Sequence, residues 1–213
     1  QMPLAVIAAL AIIAGNVGAL VQQSFKRMMA YSSIAQAGYL LIGVATGTLL
    51  GVRSLLYYLI AYTAMTLGAF ILVAIREREV EDGQSIASLA GYGRRSPLHG
   101  VVVTVCLFAL AGFPPLSGFI GKFMLFGAAV EADLTWLAVV GAVGSAVSVA
   151  YYLRPIFVLW GEDPEPGNAR TFDPGDGLWV ASVLAGLGVV VTSILASPLL
   201  DYCREAAQAL IAP

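Results

Sequence analysis

Apolar residues run along this chain in long uninterrupted blocks, and the length of a block says more here than its periodicity. Five blocks, 3–22, 26–47, 53–75, 134–159 and 177–197, are each at or above the roughly 20 residues that a helix needs to cross a bilayer core. A sixth, 98–130, is 33 residues long with no charge except Lys122. As one straight helix it would reach roughly 50 Å against a hydrocarbon core of roughly 30 Å. It also carries Gly112, Pro114, Pro115 and Gly118 in its middle, within LAGFPPLSGFIGKFMLF at 110–126. The pattern therefore predicts an all-α integral membrane protein of six spans, one discontinuous, its half-helices joined near Gly112 to Gly118. The connections 76–97 and 160–176 read as longer loops, the first charged and the second rich in proline and glycine. After Pro198, LLDYCREAAQALIAP reads as a short amphipathic helix lying along the membrane surface.

Composition agrees and removes other classes. Hydrophobic residues make up 59% of the chain and charged ones 11%, against about 45–50% and about 25% in soluble domains. A net charge of −2 and a single histidine, His99, leave no basic stripe for a nucleic acid. Cys106 and Cys203 fit neither a metal spacing nor a disulfide framework, so thiol redox chemistry is not expected. The basic residues vote on orientation. With the 23–25 turn in the cytoplasm, Lys26, Arg27, Arg76, Arg78, Arg94, Arg95, Arg154 and Arg170 lie inside, and only Arg53 and Arg204 outside. Apolar sequence begins almost at Gln1 with no leader or cleavage site, so further sequence is expected upstream.

Chemistry is expected at the break. In an unbroken helix the amides of residues 114 and 115 would donate to the carbonyls of Leu110 and Ala111; Pro114 and Pro115 have no such donor. Irregular backbone at membrane depth is tolerated only where protein or a wet cavity surrounds it, and discontinuous helices mark transporter ion sites. Lys122 lies one to two turns beyond the break, and helical side chains lean toward the N-terminus, so its ammonium is aimed back at those carbonyls. Snorkelling to the surface is the rival reading, and it would turn the side chain against that lean. Three other helices carry polar or small stripes at helical spacing: Ser32, Gln36, Tyr39 and Gly43; Tyr58, Tyr62 and Thr66; Gly141, Ser145, Ser148 and Tyr152. Any one alone reads as helix–helix packing, whereas three meeting at one lysine predict a hydrated polar path. No Asp or Glu lies within the six blocks. Lys122 is therefore either neutral for much of its time, or its partner lies on sequence outside this chain or on another subunit. His99 reads as a solvated interfacial residue at the inner face, with proton uptake as its alternative role.

These residues also carry a resemblance. GALVQQSFKRMMAYSSIAQAGYLLIG at 18–43, then LAGFPPLSGFIGKF from 110, strongly resemble the antiporter-like membrane subunits of respiratory complex I. AQAGYLLIG, YGRRSPL and SVAYYLRPIF are most similar to the NADH-quinone oxidoreductase subunit N, or chain 2, type. The resemblance covers nearly the whole chain and implies the second inverted repeat plus the final helix of an antiporter-like fold. Residues 1–160 would form the five-helix proton-translocating repeat, and 161–213 a loop, the final span and the amphipathic tail. The family's glutamate–lysine pair would lie in a first repeat that precedes this sequence. The resemblance places the family's broken-helix lysine on Lys122 and the basic residue that opens the helix after the turn on Lys26. Some members have histidine where this chain has Gln36, which cannot titrate near neutral pH. Implied partners are other membrane subunits of complex I, the lipid bilayer and the N-terminal half of the same subunit, in a bacterial plasma membrane. NADH, FMN, iron–sulfur clusters and quinone are expected in partner subunits, and no cofactor or metal in this chain. A subunit of a multi-component sodium/proton antiporter or membrane-bound hydrogenase is the alternative.

Overall fold

The computed structural model describes residues 1–161 and 177–211. Among them the chain is a bundle of helices: α1 (Met2–Leu20), α2 (Phe25–Thr46), α3 (Leu49–Glu79), the short α4 (Tyr92–Arg95), α5 (Pro97–Ala111), α6 (Ser117–Glu131), α7 (Thr135–Gly161), α8 (Gly177–Ile194) and α9 (Ala196–Ile211). Five helices are long and apolar enough to cross a membrane, and α5 with α6 makes up the discontinuous sixth span. Local signals set the boundaries. Ser24 caps α2 by accepting from the Arg27 amide at 3.3 Å, and Thr48 caps α3 by accepting from Gly51 at 3.0 Å. Pro97 opens α5 at a position where a missing amide proton is harmless.

The longest helix, α3, is the hub. It packs on α2, α5, α6, α8 and α9, so the site between α2 and α6 is held from one continuous element. It also departs from the expected 53–75 span, because residues 76–79 are helical rather than loop. The reason is an ion pair. Arg76 is fully buried, bonds Glu79 one turn on and lies 5.3 Å from the centre of the Tyr92 ring. This buried pair, with Arg76 also donating to the Ser88 carbonyl, continues the helix into what reads as hydrophilic sequence. The following segment is folded too, with a 3₁₀ turn at Ala87–Leu89 and then α4.

His99 is a second departure. It is only 3% exposed, edge-on to the Trp179 ring at 6.4 Å, and so is not the solvated interfacial residue its position suggests. The tail departs slightly: α9 starts at Ala196, which places Pro198 in the first turn, where helix amides have no intrahelical acceptor. Arg53 near the start of α3 holds it, donating to the Leu200 carbonyl at 3.0 Å and pairing with Asp201 at 3.8 Å. Residues 162–176 of the expected 160–176 loop, Arg170 among them, lie outside the described residues.

Candidate functional site: a lysine at the end of a half-helix

Helix α5 stops in mid-span, and the fate of its last four carbonyls can be followed one by one. Gly112 adopts φ 90°, a left-handed conformation that suits glycine, and turns its amide back to Phe108 and Ala109 at 3.1 and 3.0 Å. The Phe113 amide also reaches Phe108, at 3.0 Å. Leu110 and Ala111 are left over, because the next residues in line are Pro114 and Pro115, joined by a cis peptide bond. Lys122 supplies what is missing. Its Nζ donates to the Leu110 carbonyl at 2.8 Å, to the Ala111 carbonyl at 3.5 Å and to Ser145 Oγ at 3.2 Å. Ser145 in turn donates to Ala111 at 3.5 Å.

The lysine is 2% exposed, and its ammonium lies 4.9 Å from the centre of the Tyr39 ring. A cation at a helix C-terminus meets the negative end of the helix dipole, and an aromatic face adds further attraction. Backbone and ring thus stand in for a carboxylate. The second half-helix is seated with equal care. Its Ser117 amide donates to Ser193 Oγ of α8 at 2.8 Å. Gly118 lies so close to α5 that a side chain there would run into the Ala109 carbonyl oxygen.

Most of the expected stripe residues meet around this point. Gln36 Nε2 donates to the Leu110 carbonyl at 3.5 Å and to the Tyr152 hydroxyl at 3.2 Å, while its Oε1 accepts from the Tyr58 hydroxyl. Tyr152 also bonds Ser32, and Ser148 donates to the Ser145 carbonyl at 2.6 Å. A continuous polar chain therefore runs from Ser32 through Tyr152 and Gln36 to the carbonyl that holds Lys122. Tyr62 joins only by stacking on Tyr58, with ring centres 6.4 Å apart, and the Thr66 hydroxyl has no hydrogen-bond partner among the described residues. Lys26 lies apart, in the first turn of α2, paired with Glu77 at 2.8 Å. His99 stands near the start of α5, at the opposite end of that helix from Leu110, edge-on to Trp179.

A half-open, mostly apolar groove of about 240 Å³ adjoins the lysine, lined among others by Gly112, Phe119, Phe123 and Ser145. Two residues of this region escaped the sequence reading. Asn16 of α1 is buried, donating to the Ile12 carbonyl at 2.8 Å and accepting from the Tyr151 hydroxyl at 3.1 Å. The signal was present as a lone amide in an otherwise apolar block. Ser193, which caps α6, gave no such signal.

Fold and site together define an all-helical membrane protein with a discontinuous span built around a buried lysine. The family described as NADH:quinone oxidoreductase/Mrp antiporter, transmembrane, matches residues 1–148, and the chain belongs to it. It is 41% identical over 203 residues to NADH-quinone oxidoreductase subunit N 1 of Chloroherpeton thalassium, covering 95% of this chain and 42% of that relative. A chain of respiratory complex I from Thermus thermophilus superposes with a TM-score of 0.80 at 34% identity, over 94% of this chain and 45% of that one. A chain of the Mrp complex of a Dietzia species gives a TM-score of 0.82 over 100% of this chain and 47% of its own; at 22% identity it is a likeness of fold alone. The chain thus spans somewhat under half the length of the relatives it matches.

Proposed function

We propose that this chain is part of a proton-translocating membrane subunit of an NADH-quinone oxidoreductase, in which Lys122 carries the proton. The observation that carries the reading is the replacement of two missing backbone donors by the Lys122 ammonium. A primary amine can hold the Leu110 and Ala111 carbonyls when charged and let them go when it gives up its proton. Two states of one side chain then become two states of a half-helix terminus. Protons would reach it from the inner side along Ser32, Tyr152, Gln36 and intervening water, with Tyr58, Ser145 and Ser148 holding that water in place. They would leave toward the outer side along α6, past the groove beside Lys122. Gln36 does not titrate, so it would act by holding water and neighbouring hydroxyls. Lys26 would support uptake at the inner rim, and His99 is assigned no step.

In this reading the electron carriers and quinone belong to partner subunits, and this chain contributes the ion path. Its partners are other membrane subunits and the remainder of its own subunit, in a bacterial plasma membrane. The identity to subunit N across nearly the whole chain favours this over a subunit of a multi-component sodium/proton antiporter or membrane-bound hydrogenase. The test is removal of the full-length gene from its host. The reading predicts loss of NADH-driven proton uptake by inverted membrane vesicles, restored by the intact gene. Retained NADH-driven uptake, with loss only of NADH-independent sodium/proton exchange, would assign the chain to the antiporter branch of the family.

A further inference from the structure

The Leu110 carbonyl has two suitors from different helices: Lys122 of α6 at 2.8 Å and Gln36 of α2 at 3.5 Å. The orientation of the Gln36 amide follows from its surroundings. Leu110 offers only an acceptor, so the nitrogen must face it; a flipped amide would set oxygen against oxygen in a fully buried place. With nitrogen there, three of the amide's four hydrogen-bonding positions are used. One N–H points at Leu110, the other at the Tyr152 hydroxyl at 3.2 Å, and Oε1 accepts from Tyr58. Tyr152 then has its own proton free for Ser32. The carboxamide is thus pinned on three sides, with its donor held just beyond ordinary hydrogen-bond length from an acceptor that Lys122 occupies.

We propose that Gln36 is a positioning residue that takes over the Leu110 carbonyl whenever Lys122 leaves it, so that release of the lysine does not orphan a buried acceptor. A movement of about 0.6 Å brings the 3.5 Å contact to the usual 2.9 Å. Because Ser145 attends the Ala111 carbonyl in the same way, at 3.5 Å, both carbonyls freed by the prolines have a substitute donor on a neighbouring helix. Lys122 can then move without melting the end of α5. The proposal rests on the reading of Lys122 as the mobile proton carrier.

Two measurements on the assembled complex test it. Gln36→Met and Lys122→Met each leave Leu110 with one donor, whereas the double variant leaves it none. Heating the purified complex should therefore release the doubly substituted subunit several degrees below the sum of the two single shifts, or the double variant should fail to assemble where both singles succeed. Additive shifts overturn the proposal. In membrane vesicles Gln36→Met should slow proton pumping about tenfold, because each departure of the lysine then strands an acceptor. Gln36→His, which restores an N–H donor, should recover most of the rate. Wild-type pumping by Gln36→Met, or no recovery by Gln36→His, also overturns it. Wild-type pumping by Lys122→Met would remove the functional reading and this proposal with it; additive shifts together with lost pumping in Lys122→Met remove the proposal alone.

Discussion

Gly118→Ala directs a methyl group at the carbonyl oxygen of Ala109, with Met65 Sδ 3.3 Å away. The carbonyl is backbone of α5 and cannot swing aside like a flexible side chain, so relief requires α6 to slide away from α5. Sliding stretches the bond from the Ser117 amide to Ser193, now 2.8 Å, and carries Lys122 off the Leu110 carbonyl, also at 2.8 Å. Overpacking of this kind costs about 1–3 kcal/mol. The same helix offers its own control: Gly127 is exposed and a methyl there meets nothing within 4 Å. Gly127→Ala should therefore stabilise by about 0.5–1 kcal/mol through helix propensity. One substitution, two positions on one helix, should give opposite signs. Titrating the purified full-length protein with SDS in mixed micelles, with helix content as the signal, measures both. Equal effects at the two positions would refute the close seating of the half-helices.

Three further outcomes follow from other parts of the fold. Arg76→Met strands the Glu79 carboxylate in a buried place and should destabilise by about 3–5 kcal/mol in the same titration, whereas changing both residues to Met should recover much of the loss; an equally damaged double variant would mean the pair is not what holds the end of α3. Ser193→Ala removes the acceptor for the Ser117 amide and should cost about 1 kcal/mol, with Ser193→Thr close to wild type; a silent alanine variant would show that water caps α6 instead. Cysteine at Asp82 should react with impermeant maleimide only from the cytoplasmic side and cysteine at Arg204 only from outside, and labelling of both from one side would overturn the topology.

The spans and the break were legible from sequence because both rest on local rules: about twenty apolar residues make a crossing, and consecutive prolines cannot continue a helix. The aim of Lys122 was legible for a similar reason, since the lean of helical side chains toward the N-terminus is intrinsic to the helix. What could not be read was anything that depends on distant partners. Arg76 looks like the start of a loop until Ser88 and Tyr92 are seen folded around it, and His99 looks solvated until Trp179 covers it. Gln36 lies 74 residues from the carbonyl it approaches, and nothing in its own stripe distinguishes contact with Leu110 from ordinary helix packing. Lys26 shows the limit from the other side. Its place in a motif gives no hint of Glu77, 51 residues on, with which the fold pairs it.

The claim that Lys122 carries the proton is tested most directly by the proton-to-electron ratio in vesicles holding the complete complex, with complex content measured separately. Lys122→Ala should lower the ratio and leave assembly intact, because Gln36 and Ser145 remain near the freed carbonyls. Lys122→Arg should lower it as well, since a guanidinium with a pKa above about 12 keeps its proton and its planar fork does not match two carbonyls built around a point charge. Wild-type ratios in both variants would contradict the account, because a lysine that only snorkels or packs can be replaced by either residue without loss of pumping.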